Sequence, residues 1–259
     1  MESDAFRRSV FSFYTFSYFD FKHVIEPKEL DQSRPYIIQV GPHGVHCWAL
    51  GMFTWLESPF NRKFPKLKKL VGVAASVVFW IPLVREFFLY SGYRDVRRSV
   101  CDAALANGES LYICTGGEKE SLLNEYGKDK LYLSRRTGFI RLALKHGADI
   151  LPTYAFGATS VYKTSNFLLG ARLWLASTLQ IALPIFWGRW FTGMPLKPRH
   201  GMTVVTGEAF KVPTTYVGRS DIPLDVLKEQ LQLYIAHVKA MYDRHKAAAG
   251  YPDATLEVL

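Results

Sequence analysis

Short apolar runs bounded by Gly, Pro or Asn alternate along the chain with stretches whose apolar residues recur every three or four positions. Tyr36–Val40, Ser110–Thr115, Asp149–Tyr154 and Met202–Thr206 are brief apolar runs. They predict strands of a sheet covered on both faces. Between them, Val96–Asn107 reads as a helix ending before Gly108, and Thr137–Lys145 as another that stops at Gly147. Asp221 is expected to cap a C-terminal helix with Pro223 in its first turn. Leu224, Leu227, Leu231, Tyr234, Val238 and Met241 would then form its apolar stripe. Strands alternating with helices predict an α/β fold, a mainly parallel central sheet flanked by helices.

Two longer apolar stretches fit neither period. Leu70–Val84 contains Gly72 and Pro82. It is shorter than the roughly eighteen residues of a membrane span, so a buried helix, a re-entrant segment and an interfacial segment are all open readings. Phe167–Trp190 is interrupted by Arg172, Gln180 and Pro184. Phe11, Phe13, Tyr14, Phe16, Tyr18, Phe19 and Phe21 form an aromatic cluster suited either to lipid headgroup depth or to a core. Residues 1–34 are therefore expected to be a membrane-associating N-terminal arm, and residues 35–259 the folded domain. No repeat, low-complexity tract or Gly/Ser linker divides the chain. Met1–Arg8 does not read as a signal peptide.

Composition narrows the partners. Hydrophobic residues make up 49% and aromatics 15% of 259 residues, and 32 Lys+Arg against 23 Asp+Glu give a net charge of +9. A basic, aromatic-rich chain suits an anionic membrane face or a substrate carrying phosphates. Nucleic acid is not expected, because the basic residues are scattered and no recognition motif is present. Cys47, Cys101 and Cys114 have no metal-ligand spacing. This argues for a reducing compartment and against zinc or a disulfide framework.

The candidate chemistry lies at strand ends. Gly41-Pro42-His43-Gly44 follows the first strand, and a His on a tight turn is held by the scaffold yet open to substrate. Thr115-Gly116-Gly117-Glu118-Lys119-Glu120 follows the second, with glycines that admit close backbone approach and a carboxylate one turn later. In a parallel sheet both turns fall on the same edge. Arg136-Thr137-Gly138 opens a helix, a natural place for an anion.

In this order, the chain resembles the diacylglycerol acyltransferase type 2 family, which includes monoacylglycerol and wax-alcohol acyltransferases. The similarity runs from about Tyr36 to the C-terminus. It takes in Pro65, Pro82-Leu83-Val84-Arg85-Glu86, Ser91-Gly92, Gly188-Arg189, and the tail Asp243-Arg244-His245-Lys246 with Gly250-Tyr251-Pro252-Asp253. The family's His-Pro-His-Gly signature falls on Gly41-Pro42-His43-Gly44, and its Gly-Gly-x-x-Glu on Gly116, Gly117 and Glu120. Three positions depart from the expected pattern. Gly41 replaces the first His, Ala158 stands where an acid follows Phe-Gly, and Trp48 occupies the place of the Asp that related glycerolipid acyltransferases carry five residues after their His.

The resemblance implies a glycerolipid-acyltransferase-like fold and transfer of an acyl group from acyl-CoA, as co-substrate and without a cofactor or metal, to a lipid hydroxyl. Diacylglycerol is the first acceptor to expect; a monoacylglycerol, a wax alcohol and a lysophospholipid are alternatives, as are a hydrolase and a non-catalytic lipid-binding homologue. His43 would be the base and Glu120 the acid that orients its ring. Backbone N–H groups of Gly44, Gly116 or Gly117 would stabilise the oxyanion. Arg136, Arg141 and Lys145 would meet the CoA phosphates or form a solvated helix face. Bilayer-confined acceptors place the reaction at the cytosolic face of the endoplasmic reticulum membrane or at lipid droplets.

Overall fold

The computed structural model describes residues 2–9, 16–67, 69–179 and 181–259. Its centre is a seven-stranded sheet in the order β1-β10-β7-β2-β5-β3-β4. The strands are β1 (Lys22–Ile25), β2 (Tyr36–Gly41), β3 (Leu70–Ala74), β4 (Tyr93–Asp95), β5 (Ser110–Ile113), β7 (Asp149–Phe156) and β10 (Thr203–Thr206). Only the β10–β7 pairing in it is antiparallel. Two small ribbons stand apart from it: β6 (Lys130–Leu131) with β11 (Glu257–Val258), and β8 (Lys163–Thr164) with β9 (Phe186–Trp187).

β2 lies mid-sheet between parallel partners and is buried along its whole length, as an apolar run without polar alternation requires. Its side chains divide between two cores with the period of a strand. Ile37 joins a cluster with Cys101, Ile140 and Leu227, from the helices α2 (Arg98–Ala106), α4 (Gly138–His146) and α6 (Leu224–His245). Tyr36, Ile38 and Val40 join the other, with Phe19, Phe53 and Phe60.

The expected strands and helices are present, with shifted ends, and the expected Asp221 cap is corrected. Leu70–Val84 is no helix: it forms β3, then a 3₁₀ turn at Ser76–Phe79, and α1 (Val84–Tyr90) begins only at its end. A Cβ on Gly72 would lie 2.6 Å from the Tyr93 ring, so the strand holds a glycine where two chains and an aromatic side chain crowd together. Asp221 does not cap α6, which starts at Leu224 behind Pro223; its carboxylate pairs with Arg219 at 3.0 Å. Within Phe167–Trp190 the helix is α5 (Leu169–Leu179). Among the described residues no helix is long and apolar enough to cross a membrane.

The first 34 residues share the main sheet. β1 pairs with β10 from Lys22↔Thr203 to Ile25↔Thr206. Phe16 and Phe19 are buried in the second core, and Tyr18 and Phe21 pack against it. Phe11, Phe13 and Tyr14 lie outside the described residues.

Candidate active site

β2 and β5 run side by side in parallel, Gln39 opposite Ile113, so the loops leaving their carboxyl ends are neighbours. Each loop contains a glycine at a point of close approach. A Cβ on Gly41 would fall 2.5 Å from Leu131 Cδ2, so a larger residue there requires the Leu131 side chain to shift. A Cβ on Gly116 would fall 1.9 Å from Glu120 Oε2, because the carboxylate on α3 (Gly117–Leu123) lies over that backbone.

Glu120 is buried, and both its oxygens are engaged by backbone donors. Oε1 accepts the His43 N–H, and Oε2 accepts the Tyr132 N–H at 2.7 Å. Burial raises its pKa to about 7, against the opposing pull of these two N–H groups and of Arg136. This corrects the expectation that Glu120 orients the imidazole: it grips the backbone of the His43 loop. Ser121 adds a second tie, its hydroxyl donating to the Val45 carbonyl at 3.1 Å.

The imidazole has a different partner. His43 Nδ1 stands 3.1 Å from the Gly44 carbonyl oxygen. That contact is a hydrogen bond when Nδ1 carries the proton, which leaves the Nε2 lone pair free. Burial, with a smaller push from His46, lowers the pKa to about 4 against the opposing hydrogen bond to the Gly44 carbonyl. The ring is therefore a neutral base at cellular pH.

Of the expected oxyanion donors, Gly117 is committed, its N–H donating to the Cys114 carbonyl at 3.2 Å. The N–H groups of Gly44 and Gly116 have no partner among the described residues. Arg136 stiffens this corner, with Nη2 donating to the Gly116 carbonyl at 2.8 Å and its guanidinium 5.0 Å from the Tyr132 ring centre. Position 158 also reaches the loop: its carbonyl oxygen lies 3.0 Å from where a Gly44 Cβ would be, and it brings a methyl group rather than a carboxylate. Trp48 packs on Phe19 with ring centres 5.2 Å apart.

A cavity of about 650 Å³ begins at the end of β5 and reaches the start of α4. Arg98, Lys119, Arg135, Arg136 and Arg141 line it, as do Val77, Trp80, Phe139 and Leu179. Thr115 Oγ1, Glu118 Oε1 and Arg136 Nε also border it, buried and without partners. Orphaned polar atoms gathered around one cavity are what a polar ligand would satisfy. Arg136 and Arg141 thus share the cavity, whereas Lys145 is not among its lining residues and holds Asp102 at 2.8 Å. His43 does not line it either; Gly117 does. Sequence reasoning missed Thr115, Glu118 and Arg98, although Thr115 directly precedes the Gly-Gly pair. Among the described residues no group of three His, Cys, Asp or Glu side chains is arranged to hold a metal ion.

The profile of the diacylglycerol acyltransferase family matches residues 1–259. Diacylglycerol O-acyltransferase 2-like protein 6 of Mus musculus is 31% identical over 252 residues, 90% of this chain and 72% of that protein. The 2-acylglycerol O-acyltransferase 3 of Homo sapiens is 31% identical over 90% of this chain and 70% of its own length. Diacylglycerol O-acyltransferase 2 of Bos taurus is 32% identical over 91% of this chain and 68% of its own length. Among solved structures, the 1-acyl-sn-glycerophosphate acyltransferase PlsC of Thermotoga maritima superposes with a TM-score of 0.48 at 15% identity, over 89% of this chain and 77% of that one.

Proposed function

The chain belongs to the diacylglycerol acyltransferase family and is an acyltransferase, and we propose that it transfers a fatty acyl group from acyl-CoA to a diacylglycerol, giving triacylglycerol. The observation that carries the donor is the cavity, which combines guanidinium groups suited to phosphates with an apolar lining at the Gly-Gly loop after β5. Arg136 and Arg141 meet the phosphates in this reading. Lys145 is dropped from that role because Asp102 already holds it.

His43 Nε2 takes the acceptor hydroxyl proton as that oxygen attacks the thioester carbonyl. The C–O bond forms, and the oxyanion is held by the N–H groups of Gly44 and Gly116. The C–S bond then breaks, and the CoA sulfur leaves with the proton returned from the imidazolium. The Nδ1–H bond to the Gly44 carbonyl stabilises that imidazolium while it exists. Glu120 acts as a positioning residue, fixing where the loop presents the ring.

A monoacylglycerol is the second reading, because identity to a 2-acylglycerol acyltransferase equals that to a diacylglycerol acyltransferase-like protein. An acceptor confined to the bilayer puts the reaction at the cytosolic face of the endoplasmic reticulum membrane. The test is radiolabelled acyl-CoA presented with diacylglycerol, monoacylglycerol, long-chain alcohol and lysophospholipid in parallel. Triacylglycerol as the main product is expected; free fatty acid formed without any acceptor would overturn acyl transfer.

A further inference from the structure

The helix α5 encloses its one charged residue and exposes a tryptophan. Arg172 is 8% exposed, its guanidinium donating to the Ser165 carbonyl at 2.6 Å and the Leu183 carbonyl at 3.4 Å, while Trp174 is 63% exposed. A surface helix in water turns its apolar stripe inward and its charges out. In α5 the single charge is enclosed, while Trp174 and Leu179 stand outside at 63% and 55% exposure.

The backbone adds an independent observation. Among the described residues five non-glycine residues adopt a left-handed φ, and four are apolar: Leu83 (69°), Leu168 (51°), Trp190 (53°) and Phe191 (58°). The same four are 83%, 62%, 74% and 87% exposed. Bulky residues are seldom found in this conformation, and it persists only where the surroundings or the function demand it. At each of these turns the strained backbone presents an apolar side chain to the outside.

Charge supplies the third observation. No acidic residue occurs between Asp149 and Glu208, while Lys163, Arg172, Arg189, Lys197 and Arg199 fall in that interval. Arg189 is exposed and lies 5.4 Å over the Trp190 ring, a pairing of cation and indole suited to the headgroup layer. The cavity joins the two segments, since Trp80 from the turn before Leu83 and Leu179 from the end of α5 both line it.

We infer that α5 with the turns around Leu83 and Trp190–Phe191 forms a docking surface for an anionic phospholipid leaflet. The apolar tips sit among acyl chains, the exposed Lys163, Arg189 and Arg199 meet lipid phosphates, and Arg172 stays held by two carbonyls inside the fold. Because Trp80 and Leu179 border the cavity, lipid substrates reach it from this side without crossing water. That route rests on the acyl transfer proposed above; docking itself does not.

The test is flotation of the full chain with phosphatidylcholine vesicles, with and without phosphatidylserine, together with quenching of tryptophan fluorescence by brominated lipids. Tighter binding to the anionic vesicles and strong quenching are expected. Leu83→Ser combined with Trp190→Ser and Phe191→Ser is expected to weaken vesicle binding by about tenfold or more. Its thermal transition, and its turnover of a short-chain acceptor dispersed in detergent, should be unchanged. Unquenched fluorescence in the unsubstituted chain, or equal flotation of the variant, overturns the assignment. So does a vesicle-independent dimer that the same substitutions dissolve, since that gives the face to a second copy. Docking without any acyl transfer would remove the proposed function and leave the surface standing.

Discussion

At the ends of β2 and β5, polar groups are buried and bonded: Glu120 takes two backbone N–H groups, and Arg136 holds the Gly116 carbonyl. In the insertion between β7 and β10 the apolar groups are outside, and Trp174, Trp190 and Phe191 face outward while Arg172 is enclosed. One region uses burial to fix the position and protonation of a few atoms. The other leaves large side chains unburied, which water alone gives no reason to do. Neighbouring parts of one chain are thus built differently: bonded polar groups around the His43 loop, and an apolar exterior in the insertion.

Substitutions in the first region should act on chemistry and folding, and those in the second on lipid contact alone. The largest effect is expected from His43→Ala, which removes the base and should lower kcat by about a thousandfold, with an unchanged circular dichroism spectrum. Gly116→Ala comes next. Its methyl would sit 1.9 Å from Glu120 Oε2 and push the carboxylate off the His43 loop. A loss in kcat of about a hundredfold follows if the base is misplaced, with KM for acyl-CoA less changed.

Glu120→Gln keeps one acceptor and turns an amide N–H₂ toward a backbone N–H. The expected cost is about 1–3 kcal/mol, read as a lower urea midpoint. The same variant tests the pH dependence. Burial raises the folded-state pKa of Glu120 from 4.5 to about 7, so the fold holds this proton more tightly than the unfolded chain. Its contribution to stability is complete below pH 4.5 and is lost as pH rises through about 7. The unsubstituted chain should lose stability across that window more steeply than Glu120→Gln does. The smallest effects separate two cations. Arg136→Ala should raise KM for acyl-CoA by about tenfold, whereas Lys145→Ala, outside the cavity, should change it by less than about twofold.

Much of this was legible in the residues. The β2 run, the Gly-Pro-His-Gly turn and the Gly-Gly-x-x-Glu loop lie in the same order in the chain and along the sheet edge. The stripe of α6 fills the core as its spacing implied, with Leu227, Leu231, Tyr234, Val238 and Met241 buried, except for Leu224, which starts the helix at 55% exposure. Leu70–Val84 was not legible, because a short apolar run without a period fits a strand or a helix equally well. The Glu120–His43 contact was not legible either. Sequence order puts an acid near a histidine, but whether it meets the ring or the backbone depends on Gly116 letting α3 close over the loop.

Local chemistry decided which turns admit only glycine, which runs must be strands, and that one imidazole stands at a strand end, because those constraints act over a few residues. Tertiary packing decided the rest. It set the burial that holds His43 neutral and raises the Glu120 pKa to about 7, it withdrew Lys145 to Asp102, and it enclosed Arg172 of α5 while leaving Trp174 outside. These depend on which distant surfaces exclude water, and no stretch of sequence carries that information by itself.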